Sequence, residues 1–184
     1  MSPLLRKIFW FLNKFFMVPI FRLGLGAVMT NPFSGYIMVM KVIGRKSGKV
    51  RYTPVNYAIH NGAIYCISGG RDTSDWYKNL KVFPQIEVIM PGGAVFGNVD
   101  EYVDLTDRLT IIRKILQNAG FAGFFEGFNP FKVTNDELAA KSADLPILRI
   151  TPTGIGNGAA DPKGWAWILT LILTVAFILI LIFA

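Results

Sequence analysis

Turn signals that join short apolar runs in pairs constrain this chain more than any other feature it carries. Asn61-Gly62 lies between apolar runs at 52–59 and 63–68. A two-residue Asn-Gly link is hairpin chemistry, because both central positions need positive φ. Pro91-Gly92-Gly93 separates runs at 85–90 and 94–103 in the same way. Further runs at 36–43 and 146–151 bring the set to about six strands, most of them hairpin-connected. Helical patterns are inserted at 73–80 and 106–119, with a short one at 135–141. In the first, Thr73 or Ser74 is the N-cap, Asp75 sits in the first turn and Pro84 ends the segment. In the second, Ile111, Ile112, Ile115 and Leu116 face inward, and Gly120 ends it. Strands do not alternate regularly with helices, which argues against a doubly wound parallel sheet. An α+β, mainly β fold follows: a small antiparallel barrel over residues 25–153.

The two ends read differently from the middle. Residues 165–184 carry no charge, and twenty helical residues span about 30 Å, the thickness of a hydrocarbon core. Trp165 and Trp167 sit where an interfacial aromatic belt would lie, with Lys163 just outside. This segment reads as a transmembrane helix, joined to the barrel by a Gly/Pro-rich linker at 154–164. Within residues 1–24, helical spacing gathers Arg6, Lys7, Asn13 and Lys14 on one side. Leu4, Leu5, Ile8, Phe11, Leu12, Phe15 and Phe16 cover the other. A basic amphipathic helix lying on membrane lipid fits this pattern, as does a helix capping the domain core. A signal peptide fits poorly, since Asn13 and Lys14 interrupt the apolar stretch and no cleavage site follows. Arg6, Lys7, Lys14 and Arg22 precede any acid, which with Lys163 places the globular part on the cytoplasmic face of the cell membrane. Part of the net charge of +7 is then membrane adhesion and does not require nucleic acid.

A single cysteine, Cys66, rules out an internal disulfide and a Cys-built metal site. It falls in an apolar run, where a buried structural thiol is expected. The single His60 beside Asn61-Gly62 is a turn position, which leaves hydrolysis by a Ser-His-acid arrangement without support.

Between the first two strands stands Gly44-Arg45-Lys46-Ser47-Gly48-Lys49-Val50-Arg51, with four cations, one hydroxyl and two glycines in eight residues. Arg offers planar forks, Lys offers point charges, and glycines let backbone N–H groups approach an anion. Taken alone, the loop is equally a solvated hairpin tip. It is not a Walker phosphate loop: three residues, not four, separate Gly44 from Gly48, and Val50 stands where Ser or Thr would bind magnesium.

The order of elements after this loop is more specific. It is followed by Thr53-Pro54, the Asn61-Gly62 hairpin, Ser68-Gly69-Gly70, Trp76-Tyr77-Lys78-Asn79-Leu80 and Phe83-Pro84-Gln85-Ile86-Glu87-Val88. Over residues 39–90 this arrangement resembles the deazaflavin-dependent nitroreductase and quinone reductase family, whose fold is a split β-barrel. The resemblance implies a barrel that binds reduced coenzyme F-420, a hydride-carrying 5-deazaflavin with a phosphodiester and polyglutamate tail. It implies that Arg45, Lys46, Ser47, Gly48, Lys49 and Arg51 hold the phosphate and acidic tail. It places Pro54 and Val55 beside the ring, Ser68, Gly69 and Gly70 at further polar contacts, and Trp76, Tyr77 and Asn79 around the pocket. Trp76 and Leu80, four apart, equally suit a packed core, and Asn79 equally suits a backbone bridge.

The resemblance further implies hydride transfer to a quinone or similar lipophilic or nitro acceptor. The Phe-rich residues 120–131, with Phe121, Phe124, Phe125, Phe128 and Phe131, are either an apolar mouth for such a substrate or a core-filling or membrane-dipping loop. One departure stands out. Quinone reductases of the family carry tyrosines in the C-terminal part, whereas this chain has phenylalanines there, which donate no proton. Tyr52, Tyr57 and Tyr77 are the substitutes the sequence offers as catalytic groups. Two other readings keep the barrel: an FMN-dependent reductase, and a non-catalytic protein that binds a cofactor or lipid. A homodimer is compatible with the fold, and the sequence does not choose between one copy and two.

Overall fold

The computed structural model describes residues 3–70, 73–126, 129–159 and 167–183. Six strands close a barrel in the order β1-β2-β3-β6-β5-β4: β1 Ile37–Ile43, β2 Val50–His60, β3 Ala63–Ile67, β4 Gln85–Met90, β5 Gly93–Glu101 and β6 Ile147–Ile155. Every pairing is antiparallel. The Asn-Gly signal acts as its chemistry demands, with φ of 48° at Asn61 and 77° at Gly62. Gly93 pairs with Met90 and begins β5, so the second hairpin turns on Pro91-Gly92 alone.

The strand β2 changes partners along its length. Residues Val50–Asn56 pair with β1, and only Tyr57–His60 pair with β3. The barrel therefore opens beside Pro54, Val55 and Asn56, where β2 is paired on one side only. A proline, which has no N–H to give a ladder, suits such a stretch.

Alternation of side chains sorts the core into layers. Met38, Met40 and Val42 of β1 point into the barrel with Tyr57, Ile64, Cys66, Ile86, Val88, Leu148 and Ile150. Val39 faces outward and is fully buried against Phe21 and Ile89. Coverage on both faces explains why β1 reads as a continuous apolar run.

Helices complete the fold. The N-terminal segment runs as α1 (Pro3–Leu12), a π-helical turn (Asn13–Met17), α2 (Val18–Arg22) and α3 (Gly26–Met29). α4 (Asp75–Val82) crosses from β3 to β4. α5 (Arg108–Gln117), a 3-10 stretch (Gly120–Glu126) and α6 (Asn135–Ser142) link β5 to β6. Ile111, Ile112, Ile115, Leu116 and Leu138 pack there against Ala58, Tyr65 and Ile147. α7 is Trp167–Phe183.

The N-terminal segment takes the arrangement of the capping alternative, and the C-terminal expectation changes. The N-terminal segment caps the barrel through Phe21 and Met17 and turns Phe9, Asn13, Met17 and Ile20 toward β2. Ile8, Phe11 and Phe15, expected on one apolar face, are exposed, and Asn13, expected to face solvent, points inward. At the other end, α7 is described over 17 residues. Among the described residues no helix is long and apolar enough to cross a membrane. This corrects both the span expected at 165–184 and the cell-membrane, cytoplasm-facing placement built on it. Lys163 and Trp165 lie outside the described residues.

Candidate functional site

The basic loop is a closed turn whose backbone donors are largely spent on itself. The Gly44 N–H donates to Lys49 O at 2.9 Å, and the N–H groups of Ser47 and Gly48 both donate to Gly44 O, at 3.1 and 2.8 Å. Gly48 holds φ of 65°, a left-handed value that glycine takes without a Cβ penalty. A cradle of backbone N–H groups is thus not what the loop offers. Its side chains carry the charge instead.

Arg45 has a different task from its neighbours. Its N–H and Nη1 both donate to Asn79 Oδ1, at 3.1 and 2.9 Å. Nη1 also reaches Asp75 O at 3.2 Å, and Nη2 pairs with Asp75 Oδ1 at 2.9 Å. The Arg45 hydrogen bond, then its charge, holds the Asp75 carboxyl below the usual carboxylate range. Arg45 and the buried Asn79 therefore tie the loop to α4. Lys46, Lys49 and Arg51 are exposed and make no ion pair among the described residues.

Three clefts run into one another from this loop. The first, about 570 Å³, is lined by Lys46, Ser47, Arg51, Thr53, Trp76 and Asn79, with Trp10 of α1 across from them. The second, about 310 Å³, shares Trp76 and occupies the opening beside β2, between Pro54, Val55, Asn56, Gly69, Ile115 and Gly123. A Cβ on Gly69 would meet nothing within 4 Å, so this wall is open space. The third, about 420 Å³, shares Phe9, Asn13, Pro54, Val55 and Asn56 with the second and continues under the N-terminal segment, among Leu12, Phe16, Met17, Ile20 and Phe121. A wider groove of about 650 Å³ on another face centres on Lys41 and Glu87. Those two charges neutralise each other across β1 and β4 at 2.5 Å.

The structure thus brings Arg45, Lys46, Ser47, Arg51, Pro54, Val55, Gly69, Trp76 and Asn79 to a trough of two neighbouring clefts that meet at Trp76. Gly48 and Lys49 sit at the exposed hairpin tip beside it. Ser68 is fully buried, its N–H donating to Pro146 O at 3.0 Å. Gly70 lies against Ser74. The three tyrosines stand elsewhere. Tyr52 stacks on Arg22, 4.8 Å from its ring centroid. Tyr57 is buried in the barrel, where desolvation, then Tyr36, raises its pKa. Tyr77 is buried and donates to Glu101 Oε2 at 2.7 Å, its pKa raised chiefly by desolvation. Cys66 is fully buried and desolvation pushes its thiol up to about 12, as befits a structural residue. His60 ends β2 between Asp107 at 3.1 Å and Lys114 at 3.3 Å, outside the trough.

Sequence reasoning missed Trp10, Phe9 and Asn13, which the N-terminal segment delivers to the clefts. Helical spacing does reveal the face of Phe9 and Asn13, since 9, 13, 17 and 20 recur at four and three residues. The denser phenylalanine stripe beside it masked that signal. Phe121 lines the apolar cleft, whereas the side chain of Phe125 and the whole of Phe128 lie outside the described residues.

The donors fit a phosphate-bearing, acidic-tailed deazaflavin: unpaired lysine and arginine charges at one end, then an indole and an unobstructed glycine wall. Several solved structures are similar to this chain at low identity. An F420-H2 dependent reductase is 23% identical with a TM-score of 0.41, over 62% of this chain and 92% of that one. An F420 reductase is 18% identical with a TM-score of 0.45, over 71% of this chain and 94% of that one. A heme storage protein from Vibrio cholerae is 10% identical with a TM-score of 0.43, over 80% and 96%. No curated protein matches the chain. A family model does, across residues 20–119, from α2 through the barrel opening to the end of α5. The chain belongs to the F420H(2)-dependent quinone reductase family and is an oxidoreductase whose cofactor is coenzyme F-420.

Proposed function

We propose that this chain passes a hydride from reduced coenzyme F-420 to a quinone-like, lipophilic acceptor, along the trough that begins at the basic loop. The observation that carries this reading is the succession of three neighbouring clefts, linked by shared lining residues, that change character from one to the next. The first is lined by the unpaired Lys46 and Arg51 beside the Arg45–Asp75 pair, the second by Trp76 and the one-sided stretch of β2, and the third chiefly by hydrocarbon and aromatic side chains. A ligand with an anionic end and a flat ring matches the first two, and an apolar acceptor matches the third.

In this reading Lys46, Ser47 and Arg51 hold the phosphodiester, and Lys49 reaches the acidic tail from the hairpin tip. Arg45 and Asn79 hold the loop in place without spending their charge or amide on the ligand. Pro54, Val55, Gly69 and Trp76 frame the ring and exclude water from it. Ser68, Gly70 and Tyr77 build the wall behind these groups. When bound, the reduced deazaflavin supplies a hydride and, on oxidation, releases a proton to solvent. Since Tyr52, Tyr57 and Tyr77 do not line the trough, no tyrosine is assigned as the acid. A hydroquinone anion takes its proton from water.

The test is anaerobic oxidation of reduced coenzyme F-420 by the full chain with menadione as acceptor, followed by absorbance. Saturable, protein-dependent oxidation is expected. Tight cofactor binding with no turnover would leave a binding protein. Binding of FMN in preference to coenzyme F-420 would transfer the site to a flavin.

A further inference from the structure

The third cleft is almost wholly apolar, yet an amide faces into it. Its lining includes Phe9, Leu12, Phe16, Met17, Ile20 and Phe121, and its polar side chains are Asn13, Ser34 and Asn56. Two of these are engaged. Ser34 Oγ donates to Met29 O at 2.6 Å, and Asn56 Nδ2 donates to Tyr36 O at 3.3 Å. The half-buried Asn13 amide has no hydrogen-bond partner among the described residues. The amide is half-buried and not sealed from water, so it is free to donate to a carbonyl oxygen that enters the cleft.

Its backbone setting is equally specific. Asn13 opens the π-helical turn, with the Val18 N–H donating to Asn13 O, five residues back. Such wide turns cluster at functional sites. Asn13 also lines the second cleft beside Pro54 and Val55, so its amide stands where the ring cleft and the apolar cleft meet.

We infer that Asn13 is the group that orients the acceptor. Its Nδ2 donates to a carbonyl oxygen of a quinone whose apolar body lies between the N-terminal segment and Phe121. This rests on the quinone-reductase reading and adds the residue that points the acceptor at the cofactor. The reaction balances without an acid from the chain. The quinone takes up two electrons and one hydrogen nucleus as hydride, then a proton from water, and becomes the hydroquinone. The amide steadies the developing oxyanion and gives up no proton.

The experiment needs no cofactor. The full chain and its Asn13→Leu and Asn13→Asp variants are titrated by calorimetry with menadione and with 2-methylnaphthalene, which has the same rings without the oxygens. Both substitutions remove the donor, so menadione affinity relative to the hydrocarbon should fall about tenfold. Hydrocarbon affinity should hold or improve in Asn13→Leu. If one variant does not fold, the other reads the same ratio. An unchanged ratio in a folded variant, or no binding of either ligand to the wild type, overturns the inference. A tenfold fall in a protein that never oxidises reduced coenzyme F-420 leaves the inference standing and defeats the proposed reaction instead.

Discussion

At the scale of single residues, the basic loop divides its labour between a strut and a set of grips. Arg45 has both its N–H and its fork bound to α4, so its removal acts on loop geometry more than on ligand charge. Asn79 is 6% exposed and is the acceptor that both bonds share. Asn79→Ala leaves those donors unanswered and should cost about 1–3 kcal/mol in denaturant unfolding. Because Asp75 has its pKa lowered in the folded state, its pairing stabilises the fold at neutral pH. That contribution is complete above the unfolded carboxylate value of about 3.9 and is lost as pH falls through the lower folded value. Arg45→Ala should therefore flatten the acid limb of the stability profile. Cys66 behaves in the opposite sense, since its pKa is raised to about 12. It keeps its proton when folded, so stability should fall as pH rises from the unfolded thiol value of about 8.5 toward 12. Native protein at pH 8 should accordingly resist thiol alkylation, and rapid labelling would contradict the burial.

At the scale of elements, legibility tracks how local the determinant is. The span of β4, Gln85–Met90, and the Asn61-Gly62 turn follow from local chemistry and appear as read. The switch of β2 from β1 to β3 at Asn56 is a long-range matter of register, and only Pro54 hints at it. The N-terminal helix shows the same limit more sharply. Ile8, Phe11 and Phe15 of its densest apolar stripe are left exposed, and the sparser Phe9, Asn13 and Met17 face, with Leu12 and Phe16 at its edge, covers the clefts, because docking onto β2 chose the face. The basic hairpin turns on a left-handed Gly48 with open space around it. Gly48→Ala therefore meets backbone strain without a clash and should cost about 1–2 kcal/mol of unfolding free energy.

At the scale of the whole molecule, the barrel serves as a frame for one trough with a cationic end and an apolar end. Family and cofactor were legible because the loop, the hairpin and the Trp76 helix keep a fixed order in the chain. The N-terminal lining of the apolar cleft was not, because Phe9, Asn13 and Met17 come from α1 and the π turn, brought across the barrel opening by packing. The terminal segment read as a span because twenty uncharged residues match a hydrocarbon core in length, whereas no described helix is long and apolar enough to cross a membrane. The proposed function requires the cofactor's anionic end to lie against Lys46 and Arg51. Its most direct measurement is the affinity of the full chain for coenzyme F-420 and for the same deazaflavin lacking its phosphate and acidic tail, in wild type and in Lys46→Glu and Arg51→Glu. Wild type should prefer the full cofactor, and each charge reversal should erase at least about tenfold of that preference. An equal preference in wild type and both variants would contradict the account.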